Sequence, residues 1–228
     1  MTSIAPASSA PLKVLVVDDS AIVRKMIGDA LRAEPGVEVV GGAGDPFVAR
    51  DMILQLRPDV LTLDIEMPRM DGLTFLRKLM VHHPLPVIVV SSLTRSGSEA
   101  SVDALRAGAI DVIAKPDGPA SVGKVTERLR ERIRALKVSR PRLQMASATP
   151  AVATPVRTPL PGTLGSSGLL LIGASTGGPQ AIEAVLTRLP ADVPPTLVVQ
   201  HMPATFTAAF AARLDQSCPM RVFEARGG

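Results

Sequence analysis

Asp64-Ile65-Glu66-Met67-Pro68-Arg69-Met70-Asp71-Gly72 follows directly on the apolar run 60–63, and this junction decides the fold. A carboxylate that closes a buried strand sits at the carboxyl edge of its sheet, where open α/β folds gather their chemistry. Three more apolar runs stop on a polar residue in the same way. The run 14–17 stops on Asp18-Asp19, the run 87–90 on Ser91, and the run 112–114 on Lys115. On a parallel sheet all four stops converge on one edge.

Outward from that junction, residues 13–136 alternate short apolar runs with amphipathic patterns, the signature of repeated βα units. Strands are expected at 13–17, 37–40, 60–63, 87–90 and 111–114. Helical stripes lie between them: Ile22, Val23, Met26, Ile27, Ala30 and Leu31 behind a capping Ser20; Phe47, Val48, Met52 and Ile53; Leu73, Leu76, Leu79 and Met80; Val102 and Leu105; and Val122, Val125, Leu129, Ile133 and Leu136. Five such units predict a doubly wound α/β sheet of flavodoxin-like type.

Asp18, Asp19 and Asp64 on one edge repel one another, which is tolerated when a cation is shared or pKa values rise. An all-oxygen ligand set completed by water and substrate suits Mg²⁺. A divalent ion beside a carboxylate, a lysine and a hydroxyl is what phosphoryl transfer onto an aspartate requires. Asp64, between the acidic pair and the Ser91/Lys115 side, is the expected acceptor. Lys115 and the metal would neutralise phosphoryl oxygens, and Ser91 would hydrogen-bond one of them. Taken singly, each of these residues is more often a helix cap or a turn residue than a functional one; four complementary types closing successive apolar runs favour a site.

The 228 residues are enough for one large or two small domains, and a hydrophobic fraction of 46% supplies the core. Aromatics make up only 2%, with no Trp or Tyr, which argues against base-stacking platforms. The net charge of +4 is local: the stretch 124–142 holds eight basic residues (Lys124, Arg128, Arg130, Arg132, Arg134, Lys137, Arg140, Arg142) against Glu127 and Glu131, leaving the rest of the chain at −2. A solvated helix face running into a basic linker is expected there, with no nucleic-acid partner. Cys218 is the single cysteine, so no internal disulfide forms and a reducing compartment fits. Residues 1–11 lack a secretory pattern and no apolar run approaches a bilayer span, so a soluble cytoplasmic protein is expected, not a membrane protein.

From Arg132 to Ile182 no acidic residue occurs, and Pro141, Pro150, Pro155, Pro159 and Pro161 are spaced among Ala, Ser and Thr. Such a stretch buries little and reads as a tether. The expected organisation is a first domain at 12–136, a linker at 137–166 and a further segment at 167–228. In that segment the run 169–172 leads into Gly173-Ala174-Ser175-Thr176-Gly177-Gly178-Pro179 and a stripe of Ile182, Val185, Leu186 and Leu189. Strand, Gly-x-Ser-x-Gly, helix presents a serine on a tight turn with backbone N–H groups aimed at an oxyanion. The run 196–199 ends in Gln200-His201-Met202-Pro203, and His201 reaches that serine if the two strands are neighbours. A glycine-rich turn before a helix is also a phosphate or dinucleotide cradle, and from these residues alone both chemistries stand.

Val17-Asp18-Asp19-Ser20, the stretch Leu63 through Gly72, Ser91-Ser92 and Lys115-Pro116 resemble the receiver domain of two-component response regulators. The resemblance implies a histidine kinase as phosphodonor to Asp64. It also implies Mg²⁺ held by Asp19, Asp64 and the backbone carbonyl of Glu66 with Asp18 assisting, Ser91 and Lys115 as phosphoryl switch, and a cis bond before Pro116. Val112 stands where many receivers carry an aromatic, so signalling through an aromatic rotamer is not expected.

Gly173 through Gly178, Gln200 through Pro203, the helix expected at 206–214, and the receiver's Glu99-Ala100, Asp111 and residues 91–94 resemble the CheB family of chemotaxis protein-glutamate methylesterases. This implies that a partial Rossmann-like α/β methylesterase domain follows the receiver. Ser175, activated by His201, would attack glutamate methyl esters on methylated chemoreceptors and deamidate certain glutamines, needing no cofactor for that step. In the family the receiver covers the catalytic cleft until it is phosphorylated. The family's third triad member, an Asp in Gly-Met-Gly-x-Asp-Gly, has no counterpart here; Asp192 and Asp215 lack the motif. The expectation is an amino-terminal portion of a longer protein, competent in phosphorylation and weak or inactive as an esterase. The competing reading is a receiver-type signalling protein without catalytic output.

Overall fold

The computed structural model describes residues 10–92, 95–139 and 168–225. The chain divides into two compact units, Met1–Pro141 and Arg142–Gly228. In the first, strands β1 (Leu12–Val17), β2 (Val37–Ala43), β3 (Val60–Asp64), β4 (Val87–Ser91) and β5 (Asp111–Ala114) form one parallel sheet in the order β2-β1-β3-β4-β5. Parallel neighbours need crossovers. These are helices α1 (Ala21–Arg32), α2 (Pro46–Leu56), α3 (Gly72–His82) and α4 (Arg95–Arg106), and α5 (Val122–Ser139) follows β5 after a 3-10 turn, Pro119–Ser121. This is the flavodoxin-like architecture expected. β3 and β4 are buried along their whole length because helices cover both faces, which is why they read as unbroken apolar runs rather than alternating ones. Val14, Val16, Ile88, Val90 and Ile113 of the sheet pack with Ile27, Leu31, Leu129 and Ile133 of α1 and α5 into one core.

Side-chain caps start the helices. Ser20 Oγ accepts from Val23 N–H at the head of α1, Asp45 Oδ1 from Phe47 and Val48 N–H at α2, and Asp71 Oδ1 from Thr74 N–H at α3. Two expected stripes are corrected. Ile22 is 81% exposed, and Phe47 and Val48 are 45% exposed. The inward face of α2 is instead carried by Pro46, Ala49 and Ile53, whose small or compact side chains let the helix lie close to the sheet. Met52 does face inward, its methyl lying over Gly41 of β2.

The basic helix α5 also differs from the solvated face anticipated. Arg130 Nε donates to the Ala30 carbonyl, Arg134 forms a two-pronged pair with Glu34 at 2.7 Å, and Lys137 Nζ donates to the Pro35 carbonyl. These cations meet the carboxyl end of α1, where unpaired carbonyls and the negative end of the helix dipole favour positive charge. Gly36 takes φ +72° beside Lys137, and a β-carbon there would strike its ammonium group. Helix α5 runs to Ser139, three residues into the stretch read as linker, and the rest of that stretch lies outside the described residues, as do Leu93 and Thr94.

In the second unit, β6 (Leu170–Ala174) and β7 (Thr196–Gln200) pair in parallel from Leu170 opposite Thr196 to Ala174 opposite Gln200. Helices α6 (Gly178–Leu186) and α7 (Ala204–Ser217) bury Ile182, Leu186, Phe206, Phe210 and Leu214 and are joined by Arg213 and Glu183 at 2.6 Å. Leu171, Leu197 and Val199 lie on one face of this two-stranded sheet and are mostly exposed, so among the described residues that face is open. No helix among the described residues is long and apolar enough to cross a membrane.

Candidate functional site

The carboxyl edge of the five-stranded sheet brings together the residues anticipated there. Asp18 follows β1 and Asp64 ends the neighbouring β3; both are 1% exposed, while Asp19 is open to solvent. Oxygens of the three carboxylates lie within 4.8 Å of one another. From β5, Lys115 Nζ reaches 2.7 Å from Asp64 Oδ2 and 3.1 Å from Asp18 Oδ2. Backbone N–H groups hold the other oxygens, Glu66 donating to Asp64 Oδ1 at 3.0 Å and Ser20 to Asp18 Oδ1 at 2.9 Å. Ser91 is buried at the end of β4, and its carbonyl accepts the Lys115 N–H at 2.6 Å, so the hydroxyl-bearing and ammonium-bearing positions share one strand pair. Glu66 itself is exposed and accepts a hydrogen bond from Ser92 Oγ at 2.7 Å. No cis peptide occurs among the described residues, so the Lys115–Pro116 bond is trans, contrary to expectation. Trans is the lower-energy isomer of an X–Pro bond, and Lys115 is already tied to β4 without the cis form.

Three supports were not read from the sequence. Arg24 Nη1 donates to the carbonyls of Asp18 and Asp19 at 2.6 and 3.0 Å, fixing the acidic turn from one helical turn away. Gly72 carries the close approach of α3: a β-carbon there would stand 2.0 Å from the Asp64 carbonyl oxygen, and its N–H donates to the Ile65 carbonyl at 2.8 Å. Arg69 adopts φ +69° and is held by Asp45 at 2.6 Å, with Phe47 beneath its guanidinium at 6.0 Å. Only Gly72 had a sequence signal, as the glycine closing the deciding stretch.

Burial raises the Asp64 carboxyl pKa from 3.8 to about 6, the Asp18 charge adding to the rise and Lys115 opposing it. Asp18 is raised as well, chiefly by burial. For Lys115, burial is the largest single influence and pulls the pKa down, but its two aspartates outweigh that and the net shift is upward. A carboxylate whose folded pKa exceeds its unfolded one favours the folded state when protonated. Its penalty is therefore fully present above about pH 6 and relieved as pH falls toward 3.8. The shift corresponds to a penalty on the order of 2–3 kcal/mol. We expect the metal-free first unit to gain stability in denaturant melts as pH drops from about 7 to 5, and Asp64→Asn to flatten that slope. Asp29, Glu34, Asp45 and Asp71 are lowered and lose their contributions only below the ordinary carboxylate range, so they leave this window clear.

The same geometry fits a hard divalent cation. All three donors are carboxylates, and the buried Asp18 Oδ2 and Asp64 Oδ2 carry no well-directed hydrogen bond, although Lys115 lies near both.

In the second unit Ser175 and His201 are the first residues beyond the β6–β7 ladder, whose last pair is Ala174 opposite Gln200. The expected adjacency of serine and histidine is therefore met at the level of the strands, and the His201 N–H donates to the Ala174 carbonyl at 3.2 Å. Gly177 takes φ +72° and caps α6, and the Gly178 N–H closes back on the Ser175 carbonyl at 2.8 Å. Ser175 is exposed on this turn. Such a turn can present a nucleophile to a carbonyl carbon beside an imidazole base.

Residues 14–127 match the response regulator receiver domain family and residues 170–228 match the CheB methylesterase family. This chain belongs to the response regulator receiver family. A protein-glutamate methylesterase/protein-glutamine glutaminase of Syntrophus aciditrophicus is 54% identical over 94% of this chain, and one of Dechloromonas aromatica is 50% identical over 94%. The chain spans 62% of the length of each of these curated relatives. The crystal structure of the response regulator domain of Thermotoga maritima CheB is 41% identical, covers 57% of this chain and 99% of that domain, and superposes with a TM-score of 0.53.

Proposed function

We propose that this protein is a chemotaxis response regulator whose output is the hydrolysis of glutamate methyl esters on chemoreceptors, with phosphorylation of Asp64 as its input. The observation that carries the reading is the occurrence in one chain of two complementary edges: Asp18, Asp19 and Asp64 with Lys115 in one unit, and Ser175 beside His201 at paired strand ends in the other.

In the receiver unit an Asp64 oxygen attacks the phosphorus of a phosphohistidine on a histidine kinase, and the P–N bond breaks as the P–O bond forms. Asp18, Asp19, Asp64 and the Glu66 carbonyl would hold a Mg²⁺ ion, which would supply positive charge to the transferring group. Lys115 neutralises a second phosphoryl oxygen, and Ser91 donates its hydroxyl to a third. In the esterase unit Ser175 Oγ attacks the γ-carbonyl of the methylated glutamate while His201 takes the hydroxyl proton. Methanol leaves with that proton, and water then cleaves the acyl-enzyme to free glutamate and Ser175. A glutamine side chain follows the same route with ammonia leaving. No cofactor is called for in this step, and the cytoplasm is the working compartment.

Methylated receptor membranes mixed with the protein, a small phosphodonor and Mg²⁺ should release methanol faster than without the phosphodonor, and Ser175→Ala should release none. One observation favours the second reading, a receiver-type regulator without catalysis. Asp215, an acid downstream of His201, is engaged by its own neighbours: its Oδ1 accepts from the Val222 N–H at 2.7 Å and faces Arg221 at 3.4 Å. Phosphorylation of Asp64 with no methanol from any mixture would establish that reading in place of the first.

A further inference from the structure

We infer that Gln200 is a positioning residue for the serine and histidine of the second unit, its carboxamide acting as a cross-brace between the two catalytic segments; the inference rests on the esterase reading. The β6–β7 ladder ends at Ala174 opposite Gln200, so Ser175 and His201 both lie just past the last pair that could fix their separation. The His201 N–H donates to the Ala174 carbonyl at 3.2 Å, and Gln200 Nε2 donates to the Ser175 carbonyl at 2.9 Å and to the His201 carbonyl at 3.3 Å. One amide nitrogen thereby joins the backbone of the nucleophile's residue to that of the base. Both partners are carbonyl oxygens, which need a donor, so the chemistry fixes which end of the carboxamide is the nitrogen.

The other end of the same group explains a glycine. Gln200 Oε1 is buried without a hydrogen bond, and a β-carbon at Gly178 would stand 1.9 Å from it. Gly178 therefore leaves room for the brace, and the Ser175 carbonyl receives two donors, Gly178 N–H from its own turn and Gln200 from the next strand. Serine activation requires the hydroxyl within hydrogen-bond reach of the imidazole, and misplacement by about 1 Å costs about 10²-fold in rate. Gln200→Glu keeps the shape but puts an acceptor against two carbonyl oxygens. It should part the two segments while leaving substrate contacts intact.

The test is the rate at which a fluorophosphonate ester labels the full chain. Ser175 Oγ bonds to phosphorus, the P–F bond breaks, and the hydroxyl proton passes to His201. Wild type should label at Ser175 and Ser175→Ala should not. Gln200→Glu should label about 10²-fold more slowly at neutral pH. Its rate relative to wild type should rise as pH is lowered and the new carboxyl gains a proton it can donate to Ser175. Gly178→Ala, which displaces the brace from the other side, should slow labelling similarly, and the double variant should be no slower than either single one. Far-UV circular dichroism matching wild type assigns these losses to position rather than unfolding. Labelling of folded Gln200→Glu at the wild-type rate, or a rate ratio insensitive to pH, would overturn the role of Gln200 alone. Absence of labelling in wild type would overturn the esterase reading, and the role of Gln200 with it.

Discussion

Incubation with acetyl phosphate and Mg²⁺ should add one phosphoryl group to the chain, located on Asp64 by peptide mass mapping, and Asp64→Asn should remain unmodified. The expectation follows from which oxygen can react. Asp64 Oδ1 is occupied by the Glu66 N–H, while Oδ2 is buried, lacks a well-directed hydrogen bond and faces Lys115 Nζ. Asp18 presents a similar oxygen, but it lies further from the ammonium group, at 3.1 rather than 2.7 Å. Lys115→Ala removes the cation that would meet a phosphoryl oxygen and should slow the reaction by about 10²-fold, the usual loss for one preorganised charge-stabilising donor. Modification of Asp18 or Asp19 in place of Asp64, with the fold intact, would refute the assignment.

Arg132→Met should lower the melting temperature of the receiver unit by roughly 10 °C or more. Arg132 Nε lies 2.6 Å from Asp111 Oδ2, and the two side chains are 6% and 3% exposed. Burial drives the Asp111 carboxyl pKa upward against the charge of Arg132. Removing one partner of such a pair strands the other in the core and costs about 3–5 kcal/mol. Arg128 also acts on Asp111, which keeps the loss near the lower end. Replacing both residues, Asp111→Leu with Arg132→Met, should recover most of the stability because neither member of the pair is then left charged without the other. A single variant that melts with wild type would show that the core does not depend on this pair.

The parallel sheet was legible because β3 and β4 are buried on both faces and four of the five strands, β2 excepted, stop on a polar residue, so apolar runs and their ends marked strand positions and the carboxyl edge together. Asp18, Asp19, Asp64, Ser91 and Lys115 were assigned to one edge this way, and they lie there. Residues acting through the backbone escaped. Arg24 grips two carbonyls and Gln200 braces two more, and neither carries a pattern separating it from any other polar residue. Ile22, Phe47 and Val48 were misplaced because apolar character was taken for burial, whereas α2 packs through Pro46, Ala49 and Ile53. The cations of α5 were assigned to solvent because their partners, Ala30, Glu34 and Pro35, lie about a hundred residues away, beyond the reach of any local periodicity.

That long-range clamp has a consequence for biosynthesis. While the polypeptide is still emerging from the ribosome, β1 through β5 can pair as they appear, but the side of the sheet that α1 and α5 share is covered by α1 alone until the last turns of α5 have cleared the exit tunnel. Translation halted just after Ala114 would leave Val14, Val16 and Ile113 without Leu129 and Ile133, a nascent species open to chaperones and proteases. Arg130, Arg134 and Lys137 are then the late fasteners that turn a loosely assembled sheet into a module able to stand before the remainder of the polypeptide has been made.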